Sequence, residues 1–406
     1  MENLIEASAS ADTSTKTSAN TRSVQQIRQS FAVNFQYDVV FTRNTFSLSN
    51  NSLIDMLCPI QPTTKLLTVI DQAVEKHHPL LINRLERYCQ HHKIQMLPTL
   101  SVVGGEACKQ DPEIIDQVYQ AVEQHAIDRH SYILAIGGGA VIDAIGFAAA
   151  TAHRGIRLIR MPSTVLGQND AGVGVKTAVN YHQRKNYIGT FTPPHGVIND
   201  FNLLISLCER DKRAGIAEAI KVALIKDKAF FSQLCADSQA LAKFEAKAME
   251  NMIIKGAAWH LNHIATSGDA FEFGSARPLD FGHWAAHKLE ELSKHELRHG
   301  EAVAIGIAMD SIYSQLIGNI SQYQLEQILN LLIELGFDLQ PQALQLLDIK
   351  QALNEFREHL GGKLCITLLD DIGQGVEVNH IDESLMLKAV GILKQLTVEQ
   401  ECALAS

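Results

Sequence analysis

Through the first half of the chain, short apolar runs alternate with stretches whose apolar residues recur every three or four positions. "KLLTVID", "QMLPTLSVV", "SYILAIGGG" and "IRLIRMP" read as strands. "RLERYCQHH", "PEIIDQVYQAVEQHAI" and "AVIDAIGFAAATAHRG" carry helix periodicity. Strands that alternate with helices predict parallel βαβ units, because parallel neighbours need a long crossover. Ahead of them, "SFAVNF" and "YDVVF" predict a strand pair where order begins. After about residue 200 the pattern becomes helical throughout. "RAGIAEAIKVALIKD", "AKAMENMIIKGAAWHL", "HWAAHKLEEL", "GEAVAIGIAMDSIYSQLIG" and "YQLEQILNLLIEL" follow one another with scarcely a strand between them. The expected organisation is a mobile Ser/Thr/Ala-rich tail over 1–28, an α/β domain over 29–205 and an α-helical domain over 206–406. Active sites in such chains lie in the cleft between domains.

Composition narrows the function. The chain has 406 residues, 46% hydrophobic and 20% charged, which suits two globular domains. A net charge of −10 opposes a phosphate backbone, so no nucleic acid partner is expected, although a local cationic pocket can still take a small anion. Seven scattered cysteines, none in a Cys-x-x-Cys pair, read as reduced thiols. No stretch is long and apolar enough to span a bilayer and no signal-peptide pattern opens the chain, so a cytoplasmic location and no membrane partner are expected.

Several stretches carry candidate chemistry. Gly137, Gly138 and Gly139 follow a strand and open a helix, with Asp143 one turn in, a placement that brings backbone N–H groups to a pyrophosphate. Ile142 occupies the third-glycine position of the G-x-G-x-x-G pattern, so a plain tight turn fits equally well. Glu106 and Lys109 share a helical turn in "GGEACK", either facing a nucleotide or forming a surface ion pair. Asp71 ends a strand, where a carboxylate accepts from a ribose hydroxyl. "PSTVLGQNDAGVGVKTAVNYHQRKNYIG" sets Asp170, Lys176, Lys185 and Asn186 among glycines, reading as an oxyanion site or a solvated loop. Glu218 and Lys221 sit in a helix apolar all round, hence buried, and either satisfy each other or face a ligand. His283 and His299 each open a predicted helix beside a glycine, with His287 one turn on. Two imidazoles and a buried glutamate form an open metal set, which leaves a position for a substrate oxygen. His295 lacks that context and reads as solvated.

"GGGAVIDAIGFAAATAHRG", "DAGVGVKTAVN", "KNYIGTF", "AGIAEAIK" and "DFGHWAAHKLE…RHGEAVAIG" resemble, in order over roughly residues 65–375, the motifs of the sugar-phosphate cyclases, the family of 3-dehydroquinate synthase. Iron-type alcohol and glycerol dehydrogenases share the Gly triplet and the layout but lack the "KN-x-x-G" and "AE-x-x-K" pairing. The resemblance implies a Rossmann-like NAD-binding domain, a helical domain holding zinc or cobalt, and a homodimer acting on a heptulose 7-phosphate. It assigns Glu218, His283 and His299 to the metal. Asp71, Glu106, Lys109, Gly138, Gly139, Asp143, Ser163, Thr164 and Lys185 go to NAD. Arg154, Asp170, Lys176, Asn186, Lys221, Asp280 and His287 go to the substrate, with Arg154 reaching a phosphate across the dimer. The implied reaction is a transient oxidation, phosphate elimination, re-reduction, ring opening and intramolecular aldol closure.

The chain departs from the 3-dehydroquinate synthase pattern at substrate positions. Asp280 replaces an Asn, Asn262 and Ala276 stand where cations are expected, Arg277 is one place off, and Glu358 lies near an expected lysine. A substrate carboxylate desolvated without matched cations costs several kcal/mol. These changes favour sedoheptulose 7-phosphate, which has no carboxylate, over 3-deoxy-arabino-heptulosonate 7-phosphate. His287 points the other way, since cyclases of the first substrate tend to lose it. A polyol dehydrogenase, or a family member retained for binding alone, are the competing readings.

Overall fold

The computed structural model describes residues 26–57, 64–182, 184–271, 279–294, 296–359 and 362–404, with no account of the side chains of 359 and 397–404. Most of the tail, together with Ala276, Arg277 and His295, therefore lies outside the described residues. The chain divides into two units, residues 1–36 and 37–406. In the first, residues 26–36 form neither helix nor strand, so the expected strand at "SFAVNF" is not seen. Phe31, Val33 and Phe35, whose alternation suggested it, are 58–81% exposed, so the apolar burial that stabilises a strand is small there.

In the second unit the strands are β1 (Asp38–Thr42), β2 (Lys65–Asp71), β3 (Gln95–Met96), β4 (Leu100–Val102), β5 (Tyr132–Gly137), β6 (Arg157–Pro162), β7 (Lys176–Tyr181), β8 (Arg184–Phe191), β9 (Gly196–Asp200), β10 (Ile366–Asp371) and β11 (Gln374–Val378). Seven make one sheet in the order β1-β9-β6-β5-β2-β3, with β4 also on β2, and every pairing is parallel. The near-continuous apolar runs of β2 and β5 follow from burial on both faces. Leu67, Val69, Ile133 and Ala135 pack with Val118 and Val141 from helices on one face. Leu66, Ile70, Leu134 and Ile136, the alternate positions, pack with Leu85 on the other. The result is a doubly wound α/β sheet of Rossmann type. Its strands all end on one edge, which gathers Asp71, Gly137, Pro162 and Asp200 there, the edge where such folds bind ligands.

The C-terminal half is helical, as expected, around one large core. The helix Glu209–Lys226, buried from Ala214 to Ile225, runs between Ala246–Thr266 and His299–Leu316. The helical pattern overlooked one element, the antiparallel hairpin β10–β11. Its turn residue Gly373 has φ +87° and lies so close to Lys228 that a Cβ would come within 2.4 Å of the Lys228 N, so only glycine fits. The glycine-rich segment read as a loop is a one-turn π-helix, Gly167–Ala171, followed by the hairpin β7–β8. Thr177 is buried while its strand neighbour Lys176 is exposed, the period-two pattern that the lysines had disguised.

Candidate active site

Three helices bring Glu218, His283 and His299 together. Glu218 projects from the buried helix Glu209–Lys226, while His283 and His299 are the first residues of His283–Leu292 and His299–Leu316. Gly282, at φ +80°, makes the turn ahead of His283 and lies backbone to backbone on Gly306. A Cβ at Gly282 would stand 2.7 Å from the Ile307 N, and one at Gly306 would stand 2.0 Å from the Gly282 O. The fully buried Asp310 closes this junction. It accepts from the Gly282 N–H at 3.0 Å and from the Trp284 Nε1–H at 2.9 Å, so it holds the residues on both sides of His283.

Glu218 Oε1 lies 3.6 Å from His283 Nε2 and 3.4 Å from His299 Nε2, and the three ligand atoms fall within 4.8 Å of one another. Those separations exceed a charge-assisted hydrogen bond, about 2.7–2.9 Å. They match the ~3.3–3.6 Å edges of a tetrahedron whose ligands lie ~2.0–2.2 Å from a zinc-like ion. His299 Nδ1 is 2.9 Å from Glu290 Oε1, and His283 Nδ1 is 3.2 Å from the Phe281 O. Each acceptor draws the ring proton to Nδ1 and leaves Nε2 a lone pair aimed at the site. The residues present therefore fit a divalent cation.

The electrostatics agree. Burial opposes charge on Glu218, yet Lys221, in contact with it, followed by His299 and His283, holds its carboxyl well below the usual range. Burial likewise opposes charge on His299, but Glu218 and Glu290 push its pKa up to about 10. Two carboxylates around one imidazole call for a positive charge, which a bound cation supplies in place of that proton. Burial lowers His283, with Lys221 adding to it. Burial, then the repulsion of His283 and His299, brings His287 down to about 4, so it is a neutral ring at pH 7. Its centroid lies 5.7 Å from that of His283 and 6.1 Å from that of His299. Asp280 lies close enough to exert its charge on Lys221, His283 and His287.

One cavity lined by Asp170, Glu218, Lys221, Asn169 and His260 adjoins this set. Asp170 Oδ1 is 2.8 Å from His260 Nδ1, and although burial opposes its charge, His260 keeps its pKa low. On the sheet edge, Lys109 is buried and donates to Asp143 Oδ2 at 2.7 Å and to Asn186 Oδ1. Burial raises the pKa of Asp143, with Lys109 opposing. Glu106 Oε1 accepts from Asn180 at 2.6 Å, and Asn180 Oδ1 accepts from the Asn186 N–H. Asn186 thus stands with the Glu106, Lys109 and Asp143 group. Asp71 is buried and caps the next helix through the Ala73 N–H at 2.8 Å. Gly104 lies against it so closely that a Cβ would sit 2.2 Å from Asp71 Oδ2. Gly138 is the N-cap of Gly139–Thr151; the Ser163 N–H donates to the Gly137 O, and Thr164 Oγ1 accepts from the Gly167 N–H.

Other expected residues fall elsewhere. Lys185 Nζ lies 3.3 Å from Glu290 Oε2, tied to the carboxylate that carries His299. Lys176 is exposed at the start of β7, and its carbonyl accepts from the buried Arg160. Arg154 is exposed in the loop after Gly139–Thr151 with φ +63°. Asn262 and Glu358 are exposed. Sequence reasoning missed Glu290, His260 and Asp310. Glu290, two turns after His283 on the same helix face, was open to discovery; the other two depend on packing between distant segments.

A Rossmann-type sheet joined to a helical half with a carboxylate and two imidazoles converging defines the class, an α/β chain with a nucleotide-type edge and a candidate divalent-metal site. The chain belongs to the 3-dehydroquinate synthase family of enzymes. The family model for the 3-dehydroquinate synthase N-terminal region matches residues 99–214, and that for the C-terminal region matches residues 215–358. The 3-dehydroquinate synthase of Geobacillus thermodenitrificans is 34% identical over 340 residues, 82% of this chain and 89% of that one. The 2-epi-5-epi-valiolone synthase of Streptomyces glaucescens is 33% identical over 270 residues, 66% of this chain and 69% of that one. Among solved structures, a 2-epi-5-epi-valiolone synthase from Streptomyces hygroscopicus with NAD+ and Zn2+ bound superposes with TM-score 0.81 at 28% identity, covering 91% of this chain and 99% of that one. A glycerol dehydrogenase from Schizosaccharomyces pombe, TM-score 0.59 at 14% identity, shares the fold.

Proposed function

We propose that this protein is a sugar-phosphate cyclase that converts a heptulose 7-phosphate to a carbocycle with loss of phosphate, and that sedoheptulose 7-phosphate is its substrate. The observation that carries the reaction class is Glu218 Oε1 facing both Nε2 atoms at 3.4 and 3.6 Å. Glu218, His283 and His299 would hold a divalent cation, zinc or cobalt. Asp71, Gly138, Gly139, Thr164 and the group around Lys109 and Asp143 would hold NAD along the strand ends. When bound, NAD supplies a reversible hydride acceptor and the cation a Lewis acid.

The chain's own residues then do the following. Lys221, buried against Glu218, offsets negative charge developing on substrate oxygens. Glu290 fixes the His299 ring and keeps its Nε2 available. His287, neutral at pH 7, donates or accepts a hydrogen bond without adding charge. Lys176, and Arg154 from the second subunit of a homodimer, bind the phosphate; Arg154 is exposed in the single chain. The domain division at 205/206 falls between the short helix Phe201–Leu204 and the helix Glu209–Lys226 that carries Glu218.

The substrate follows from charge. Apart from the metal ligand Glu218, the cavity carries Asp170 and one lysine, Lys221, and Asn262 and Asp280 stand where the 3-dehydroquinate synthase pattern has a cation and a neutral amide. Such a wall suits hydroxyl groups and disfavours a carboxylate. Incubation with NAD, zinc and each heptulose phosphate in turn tests the reading. Phosphate release from sedoheptulose 7-phosphate, without accumulation of NADH, is expected. Silence with every sugar phosphate, or NADH building up from an unphosphorylated polyol, refutes it.

A further inference from the structure

Beside the cation, Lys221 and the nucleotide group, the same cavity holds an ionisable pair whose histidine has no task yet. His260 comes from the helix Ala246–Thr266 and Asp170 from the π-helical turn Gly167–Ala171, and His260 Nδ1 lies 2.8 Å from Asp170 Oδ1. The two elements are locked together. Asn169, next to Asp170, donates to the Gly215 O at 2.8 Å, and Gly256, one turn before His260, lets the helix approach so near that a Cβ there would lie 3.3 Å from the Asn169 Cβ. At Gly174 a Cβ would stand 3.1 Å from His260 Nε2, so the glycine keeps that side of the ring clear. Asp170 holds the ring proton on Nδ1, and among the described residues none makes a hydrogen bond to Nε2. A carboxylate behind one nitrogen and an unengaged lone pair on the other is the arrangement of a general base.

We propose that His260, oriented by Asp170, is a further catalytic residue, the group that carries a proton from and back to a substrate hydroxyl during ring opening and closure. This rests on the cyclase reading above. In opening, the anomeric O–H bond breaks and its proton goes to Nε2. The oxygen's electron pair forms the C=O bond as the C–O bond to the ring oxygen breaks, and that oxygen leaves with its pair as an enolate. In closure the enolate carbon bonds to the carbonyl carbon, the C=O pair returns to oxygen, and the alkoxide recovers the proton from Nε2. One proton is borrowed and returned, so no further reactant is needed. Solvent exchanges such a proton at random, whereas a half-buried pair that lines the cavity returns it to the same substrate.

The test is a rapid-quench single turnover of the NAD- and zinc-loaded enzyme with sedoheptulose 7-phosphate, following phosphate and carbocycle separately. In the unmodified protein the two should rise in step. In H260Q, which keeps a hydrogen bond to Asp170 but carries no proton, carbocycle formation should slow by about 100-fold or more, the usual share of general acid–base catalysis, and lag behind phosphate. In H260A the same lag should shorten on addition of imidazole, which a purely structural role does not explain. Phosphate and carbocycle in step in H260Q, or a lag in H260A that imidazole leaves unchanged, overturns the proposal. An unmodified protein that releases no phosphate from any heptulose phosphate refutes the cyclase reading instead.

Discussion

Asp310 offers a measurement that isolates one buried carboxyl. It is fully buried, and burial drives its pKa from 3.8 up to about 7, against the pull of the Trp284 and Gly282 hydrogen bonds. The native state therefore binds a proton more tightly than the unfolded chain does. Between pH 3.8 and about 7 stability falls as pH rises, and above about 7 the loss is complete. At ~1.4 kcal/mol per tenfold in proton affinity the full loss is about 4 kcal/mol, of which about 2–3 kcal/mol falls between pH 5 and 8. D310N has nothing to titrate, but its amide NH2 cannot accept, so either the Gly282 N–H or the Trp284 Nε1–H loses its partner at a pH-independent cost of about 1–3 kcal/mol. Urea unfolding of both proteins from pH 5 to 8 gives the difference directly, since every other group cancels. Asp310 should have its advantage at pH 5 and lose about 2–3 kcal/mol of it by pH 8. A difference that stays flat within about 0.5 kcal/mol across that range refutes the argument that this site is dry and strains against charge.

E218Q removes the only carboxylate of the metal set while preserving its size. Bound zinc, measured by elemental analysis after dialysis, should fall to background, and full zinc stoichiometry would show that Glu218 is not a ligand. E290Q weakens the hold on His299 Nδ1, so zinc affinity in a competition titration against a chromophoric chelator should drop by about 10–100-fold, as for other partners of ligating histidines. G104A drives a methyl group into Asp71, with the Cβ 2.2 Å from Oδ2. Calorimetric titration should show NAD binding weakened by about tenfold or more, roughly the 1–3 kcal/mol cost of overpacking.

What the sequence made legible was decided by range. Period-two and helical patterns are set within a few residues, so β2, β5 and the helix Glu209–Lys226 were plain in the string. The metal candidate was legible because glycine flanks both histidines, marking backbone that must turn or approach closely, and because a glutamate in an apolar helix demands a partner. The hairpin β7–β8 was hidden by its charged residues: Lys176, Arg184 and Lys185 are exposed and break the apolar rhythm. The pairing of His260 with Asp170 joins positions ninety apart through the packing of a helix on a π-turn, and no local pattern encodes it. Asp310 looked like any acid on a helix until its neighbours across the interface were known.

Gly282 and Gly306 touch backbone to backbone where no larger residue fits, and that contact has a consequence for the life of the enzyme. That contact fixes the start of the helix His283–Leu292 against the helix His299–Leu316, and with it the spacing of the two imidazoles. Stripping the ion should then leave a ready mould, and reloading becomes a matter of diffusion with no refolding step. With the cation held there as proposed, a chain that lost its metal would fall idle and recover on resupply without being rebuilt.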